Sequence, residues 1–241
     1  MKTRFLKEFE QRAKEVDLYF DFLSTILDNH VCLLLNFDKE DSNQKLIDAD
    51  IQQILKANLF ILLYNLAEFS IKKAIQAIYD ALENDHISYK LANEKIKKIY
   101  LKNLHKRLKE SNSITFAEVL TNLLTDTLNE DVIKLDENSI PIEGNLDARK
   151  LKELATIYGF SDHTSKAQRA GSDLLTVKTN RNILAHGNIS FIECGRDYDL
   201  FDLKKIKDEV IFFLEDILNN IDQYIEKKEY TSINSTFSRN S

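Results

Sequence analysis

The run Lys178-Thr179-Asn180-Arg181-Asn182-Ile183-Leu184-Ala185-His186-Gly187 organises the reading of the chain. It reads as the end of a helix that Ser172 can cap, with Gly187 just past the last helical residue. Near that end it sets a permanent cation, an amide and an ionisable imidazole. Arginine grips phosphate oxygens with a planar fork of donors, and histidine moves protons near neutral pH. Cleavage of an RNA phosphodiester needs those two capacities and requires no metal. A regular helix, however, turns residues five apart by about 140° and separates them by about 7.5 Å along its axis. One helix therefore does not readily aim Arg181 and His186 at one phosphate. Either the helix breaks at Gly187 and His186 swings round, or a second copy of the chain completes the site. A plainer reading stands beside this one. A His in the last turn before a Gly is an ordinary helix ending, Arg181 could equally sit in a surface ion pair, and a bare Arg-x4-His spacing is a weak signal.

Outward from that run, composition favours long helices over a sheet. The 241 residues hold one Pro and five Gly, and Leu, Ile, Lys, Asn and Glu abound. A formal charge of -6 argues against a generic nucleic-acid coat protein but leaves room for a local basic groove. Cys32 and Cys194 show no paired spacing and suit a reducing cytoplasm. The start, Met1-Lys2-Thr3-Arg4-Phe5, lacks a signal-peptide core. No apolar run approaches the roughly 20 residues needed to span a bilayer. The expectation is a cytoplasmic protein with no membrane partner.

In chain order, helices are expected at about 3–35, 48–84, 88–110, 114–129, 145–158, 172–186 and 201–228, forming a single domain over 1–229 with a disordered tail at 230–241. The first carries Leu6, Phe9, Ala13, Val16, Phe20, Leu23 and Leu27 at three- and four-residue spacing, a buried face. Residues 36–45 read as a solvated acidic linker. The helix at 48–84 is the most hydrophobic, entered through Asp48 or Asp50, and is expected at the centre of the core. Asn58, Asn65 and Glu68 among its apolar residues would bond neighbours or face a catalytic groove. On the next helix Lys95, Lys98, Lys102, Lys106 and Lys109 share one narrow sector. That stripe is either a solvated face or a track for an RNA backbone. Lys178 and Asn180 are further candidate RNA contacts. Residues 131–144 suggest a small hairpin or irregular excursion, 189–193 have strand character, and 194–197 read as a turn. His30 reads as a packed or partly exposed helix residue, and His163 as an exposed loop residue or a second RNA-binding or catalytic group.

The string Arg181-Asn182-x3-His186, closing a helix in an all-helical chain of this size, resembles the R-x4-6-H motif of the HEPN superfamily. The polar Asn182 directly after the Arg belongs to that pattern. Together with the helix Leu62 to Glu68, the fuller string Arg-Asn-Ile-Leu-Ala-His-Gly is most similar to the bacterial MAE-type HEPN nucleases. The sharp part of the likeness covers 172–187, while 48–84 and 200–228 match in type and order. The resemblance implies an all-α, HEPN-like antiparallel helical bundle, with extra helices and a small hairpin-like excursion. It further implies a metal-independent endoribonuclease of a bacterial defence or toxin–antitoxin system. Such an enzyme uses the RNA's 2′-hydroxyl and leaves a 2′,3′-cyclic phosphate. Arg181 would bind the scissile phosphate, His186 would act as acid or base, and Asn182 would orient either. The motifs of two protomers would face each other in a homodimer, beside an antitoxin or defence partner. Toxins of the HEPN–nucleotidyltransferase pairs carry a Tyr two residues beyond the His. Asn188 stands there, so control by that route is not supported. Neither cofactor nor metal is implied, and motifs for P-loop, dinucleotide-binding, serine-hydrolase and zinc enzymes are absent. The competing class is a catalytically inactive helical binding or scaffold module that docks RNA, nucleotide or a protein partner.

Overall fold

The structure, a computed structural model, describes residues 2–28, 32–35, 43–110, 113–142, 144–165, 169 and 171–232. Among the described residues are eight helices, α1 Arg4–Asp28, α2 Ala49–Asn84, α3 Glu94–Glu110, α4 Ser113–Leu128, α5 Ala148–Tyr158, α6 Ser172–Ala185, α7 Phe191–Arg196 and α8 Leu200–Glu226. Two short strands, β1 Cys32–Leu35 and β2 Asn43–Leu46, pair antiparallel between α1 and α2. The chain is thus an all-α bundle, with one small hairpin among the described residues.

α2 is the axis of the bundle. The Asp48 carboxylate caps it by accepting the Ile51 N–H at 2.8 Å, and its 36 residues extend for about 54 Å. Leu59, Phe60, Leu63, Ala67, Ile71, Ala74, Ile75 and Ile78 are wholly buried, so apolar residues face several neighbours at once. By length and composition α2 is apolar enough to cross a membrane. Here α1, α6, α7 and α8 pack against it instead. α1 supplies Phe5, Leu6, Phe9, Ala13, Val16, Phe20 and Leu23 to the core. α8, entered through a capping box of Asp199 and Asp202, supplies Leu203, Val210, Leu214, Ile217 and Ile221.

Several expectations change. The first helix stops at Asp28, not 35, because the run Cys32-Leu33-Leu34-Leu35 enters a strand. A short unbroken apolar run is compatible with either state. Residues 36–42 of the expected acidic linker, and His30, lie outside the described residues, while 43–45 belong to β2 and not to a linker. The described strands place a hairpin here, and 131–144 takes the irregular one of its two expected forms. It holds an isolated bridge between Ser88 and Val132 and a single 3-10 turn at Glu137–Ser139 capped by Asp136. Its alternating apolar residues Ile133, Leu135, Ile140 and Ile142 are buried from a loop. The run at 189–193 is no strand. Ser190 and Glu193 form a capping box that starts α7. In the expected turn, Gly195 is helical and lies so close to α2 that a Cβ would stand 2.1 Å from the Gln53 carbonyl oxygen. Finally, Tyr230 and Thr231 are buried and Thr231 bridges Ala92, so the chain remains packed past the expected start of the tail. Residues 233–241 are not among those described.

Candidate functional site

α6 buries Leu174, Val177, Asn180 and Leu184 at three- and four-residue spacing, and this stripe orients every other residue of the motif. Gly171 occupies the N-cap with φ +80 and no side-chain cap, so Ser172 does not take the expected capping role. A Cβ on Gly171 would lie 2.7 Å from that of Ala148 and 2.8 Å from the Phe213 ring, a contact only glycine permits.

The other end answers the question of direction. His186 keeps helical torsions, φ -91 and ψ -1. Gly187 is left-handed at φ +67. The Gly187 N–H bonds the Leu184 carbonyl at 3.1 Å and the Asn188 N–H bonds that of Ile183 at 3.0 Å. Those two bonds make a Schellman ending. The helix therefore does not break ahead of His186, and the separation of about 140° from Arg181 holds.

Arg181 is partly buried and fixed. Its guanidinium carbon stands 4.5 Å from the centroid of the Tyr64 ring, a cation–π contact. Its Nη1 donates to Asn182 Oδ1 at 3.0 Å. Tyr64 is fully buried on α2, and its hydroxyl accepts the Leu146 N–H at 3.1 Å. Burial pushes the Tyr64 phenol above its ordinary value. The Leu146 amide opposes that rise and Glu68 adds to it. Gly144, at φ +68, adjoins Arg181, with room for a Cβ 4.0 Å from Nη1. The wall around the guanidinium thus comes from α2 and from residues 144–146. Sequence reasoning did not single out Tyr64 or this loop, although Tyr64 lies inside the quoted Leu62 to Glu68 helix. Glu68 reaches the site's neighbourhood through Tyr64, while Asn65 is exposed.

Two residues named as RNA contacts are otherwise engaged. Asn180 is turned inward. Its amide donates to the Tyr198 hydroxyl at 2.8 Å and the Thr176 carbonyl at 3.0 Å, and its Oδ1 accepts from Cys194 Sγ at 3.4 Å. It ties α6 to Cys194 of α7 and to Tyr198, so its amide is turned into the bundle and not toward solvent. Lys178 Nζ is paired with Asp147 Oδ2 at 2.9 Å, linking α6 to the N-cap of α5. Burial alone would raise the Asp147 carboxyl. Lys178, the Lys150 N–H and Arg149 outweigh it and hold that carboxyl below its ordinary value. Burial likewise pushes the Cys194 thiol up to about 11.

His186 and the five lysines Lys95, Lys98, Lys102, Lys106 and Lys109 are exposed. The lysines run along α3, with Lys95 reaching over Gly159 and Lys102, Lys106 and Lys109 walling a cavity. His163 lies beside α8, where Asn220 donates to its carbonyl at 2.7 Å. Among the described residues, no group of three or more His, Cys, Asp or Glu is gathered to hold a metal ion. No curated protein and no solved structure matches the chain. The family model of the HEPN_MAE_28990-like HEPN proteins matches residues 1–230. With Arg181, Asn182 and His186 standing at the end of α6 in an all-α bundle, the chain belongs to that HEPN family.

Proposed function

We propose that this HEPN domain is a metal-independent endoribonuclease whose site is completed by a second copy of the chain. The observation that carries the reading is the contrast at the end of α6. Arg181 is clamped over Tyr64 beside Asn182, while His186 stays helical and exposed on another azimuth of the same helix. Two such helices facing across a two-fold axis bring two imidazoles and two guanidinium groups to one phosphate. The RNA 2′-oxygen attacks phosphorus as one His186 takes its proton, and the bond to the 5′-oxygen breaks as the partner copy's imidazole protonates the leaving group. The products are a 2′,3′-cyclic phosphate and a 5′-hydroxyl. Arg181 holds the nonbridging oxygens as negative charge gathers on them, and Asn182 steadies the guanidinium through its Oδ1. DNA lacks the nucleophile and is left intact. Action in a bacterial defence or toxin–antitoxin setting, in the cytoplasm and under an antitoxin or other defence partner, belongs to the same reading.

The test is incubation of purified protein with total RNA in EDTA beside His186→Ala, with end-group analysis and light scattering for oligomeric state. Cyclic phosphate ends that vanish in the variant are expected. Excess His186→Ala chains should also silence wild-type chains by forming dimers with one imidazole. Intact RNA from a folded dimer would favour the second reading, a non-catalytic helical module that docks RNA. The observation behind that reading is the row of exposed lysines on α3 in a net acidic chain.

A further inference from the structure

The α3 lysines do more than line a face, because part of their row borders an open cavity of about 680 Å³. Small-ligand pockets span roughly 300–1,000 Å³, so the space fits a molecule and not merely a few waters. α3 forms one wall, the loop from Asn138 to Asn145 a second, and α5 a third. At the back, the hydroxyls of Tyr79 and Tyr158 share a hydrogen bond of 2.5 Å.

Three features define the chemistry of an occupant. The first is clustered positive charge. Lys102, Lys106 and Lys109 are exposed, and none pairs with a carboxylate among the described residues. Lys150, at the same cavity, is by contrast held by Glu153 at 3.0 Å. The spacing of four and three residues stacks the three ammonium groups along one helix face. Asp136, whose carboxylate also accepts the Asn138 N–H and the Ser139 hydroxyl, is near enough to feel Lys106 and offsets part of its charge, which leaves an excess of positive charge on this face. A concave site with charge of one sign concentrates polyanions.

The second feature is an orphan donor. Asn103 lines the cavity, and its Nδ2 is buried without a hydrogen-bond partner among the described residues. Buried polar atoms are rarely left so, and an acceptor on a bound molecule would satisfy it. The third is apolar surface. Pro141 is exposed and Ile157 is half-buried, both opening onto the same space. Inorganic phosphate would use the lysines and leave this surface wet. A ligand with phosphate at one end and a flat ring carrying acceptors at the other uses all three features.

We propose that this cavity is a nucleotide-binding site in which Lys102, Lys106 and Lys109 take the phosphates, Pro141 and Ile157 take the base, and Asn103 donates to it. The nucleotide is either free or one unit of an RNA strand, since both present the same phosphate and base. The site does not rest on the nuclease reading, although its wall at Asn145 is adjacent in sequence to Gly144 beside Arg181.

The experiment is fluorescence anisotropy on the full chain carrying His186→Ala, in EDTA, so that RNA survives. Two probes are used, ADP with a fluorescent ribose label and a fluorescein-labelled octaribonucleotide. At least one probe should bind. Lys102→Glu with Lys106→Glu should weaken it about tenfold or more. The same charge change on α1, Lys7→Glu with Lys14→Glu, should weaken it less than about twofold. Binding of the ADP probe identifies a free-nucleotide pocket, and binding of the RNA probe alone identifies a strand site. All four lysines are exposed, and thermal melts confirm that the variants fold. No binding of either probe, or equal loss in the two charge variants, overturns the assignment. Because cleavage is never read out, failure of the nuclease reading leaves this result intact.

Discussion

Tyr64→Phe and Tyr64→Leu separate two tasks performed by one buried side chain. The hydroxyl accepts the Leu146 N–H at 3.1 Å, and the ring carries the Arg181 guanidinium at 4.5 Å. Leu146 is fully buried, so phenylalanine leaves its amide without an acceptor in the interior. That costs about 1–3 kcal/mol. For a chain of this size each kcal/mol moves the melting temperature by roughly 2–4 °C, so Tyr64→Phe should melt about 2–12 °C lower. The aromatic face survives and Arg181 stays in place, so on the proposed nuclease reading RNA cleavage should remain within about threefold of wild type. Leucine removes the face as well, with roughly 0.5–2 kcal/mol of cation–π attraction. The guanidinium is then free to move, and a displacement on the scale of 1 Å is enough to cost about 100-fold in rate. Cleavage should be assayed well below both melting temperatures, with circular dichroism establishing the fold. A folded Tyr64→Leu protein that cleaves as fast as wild type would refute the idea that the ring positions Arg181. A phenylalanine variant as inactive as the leucine variant would move the effect from the ring to the loop at Leu146.

Gly195→Ala should cost several kcal/mol, on the order of a strained core substitution, because its Cβ would meet the Gln53 carbonyl oxygen at 2.1 Å. A melting temperature unchanged in this variant would mean that α7 does not dock as described. In a Cys32→Ser background, Cys194 should resist iodoacetamide at neutral pH until the chain unfolds, since it is buried and its thiol is pushed up to about 11. Rapid labelling of the native protein would count against that burial. Asp147 should make stability acid-sensitive, because its folded carboxyl lies below the ordinary value. Its contribution is present above the unfolded value near 4 and is lost as pH falls through the folded value. The advantage of wild type over Asp147→Asn in urea denaturation should therefore shrink below about pH 4, and a constant difference down to pH 2 would speak against the linkage.

Much of this was readable because the strongest signals are long and periodic. The three- and four-residue spacing of α1 and α8 reflects one buried face against the bundle, and the density of apolar residues in α2 reflects burial on several sides. The errors fell where segments are short. A continuous apolar run such as Cys32 to Leu35 carries no period that distinguishes strand from helix. At 189–193, β-branched and aromatic residues suggested a strand, yet Ser190-x2-Glu193 is a capping box that announces a helix start. Asn180 offers a similar lesson. It sits on the Leu174, Val177, Leu184 stripe, so its inward direction was available from spacing even though its amide chemistry suggested a ligand. Tyr64 was beyond reach, since its partners Arg181 and Leu146 lie 117 and 82 residues away in sequence.

α6 treats its two chemical groups differently, and the difference bears on how the proposed site would be completed. The arginine is held in the chain by itself, by a ring beneath it and an amide beside it. Groups that stabilise developing charge act best when their orientation is fixed in advance. The imidazole has no such support, since His186 makes no side-chain hydrogen bond among the described residues and Gly187 beyond it has open space around its Cα. Its backbone, however, is set by the Schellman bonds at Gly187 and Asn188. A proton-transfer group usually has one nitrogen oriented by a partner while the other works. On the proposed reading that partner comes from the second copy or from the RNA. A single chain then holds a phosphate grip without an aligned base, and dimerisation supplies the alignment that helix geometry denies to one copy.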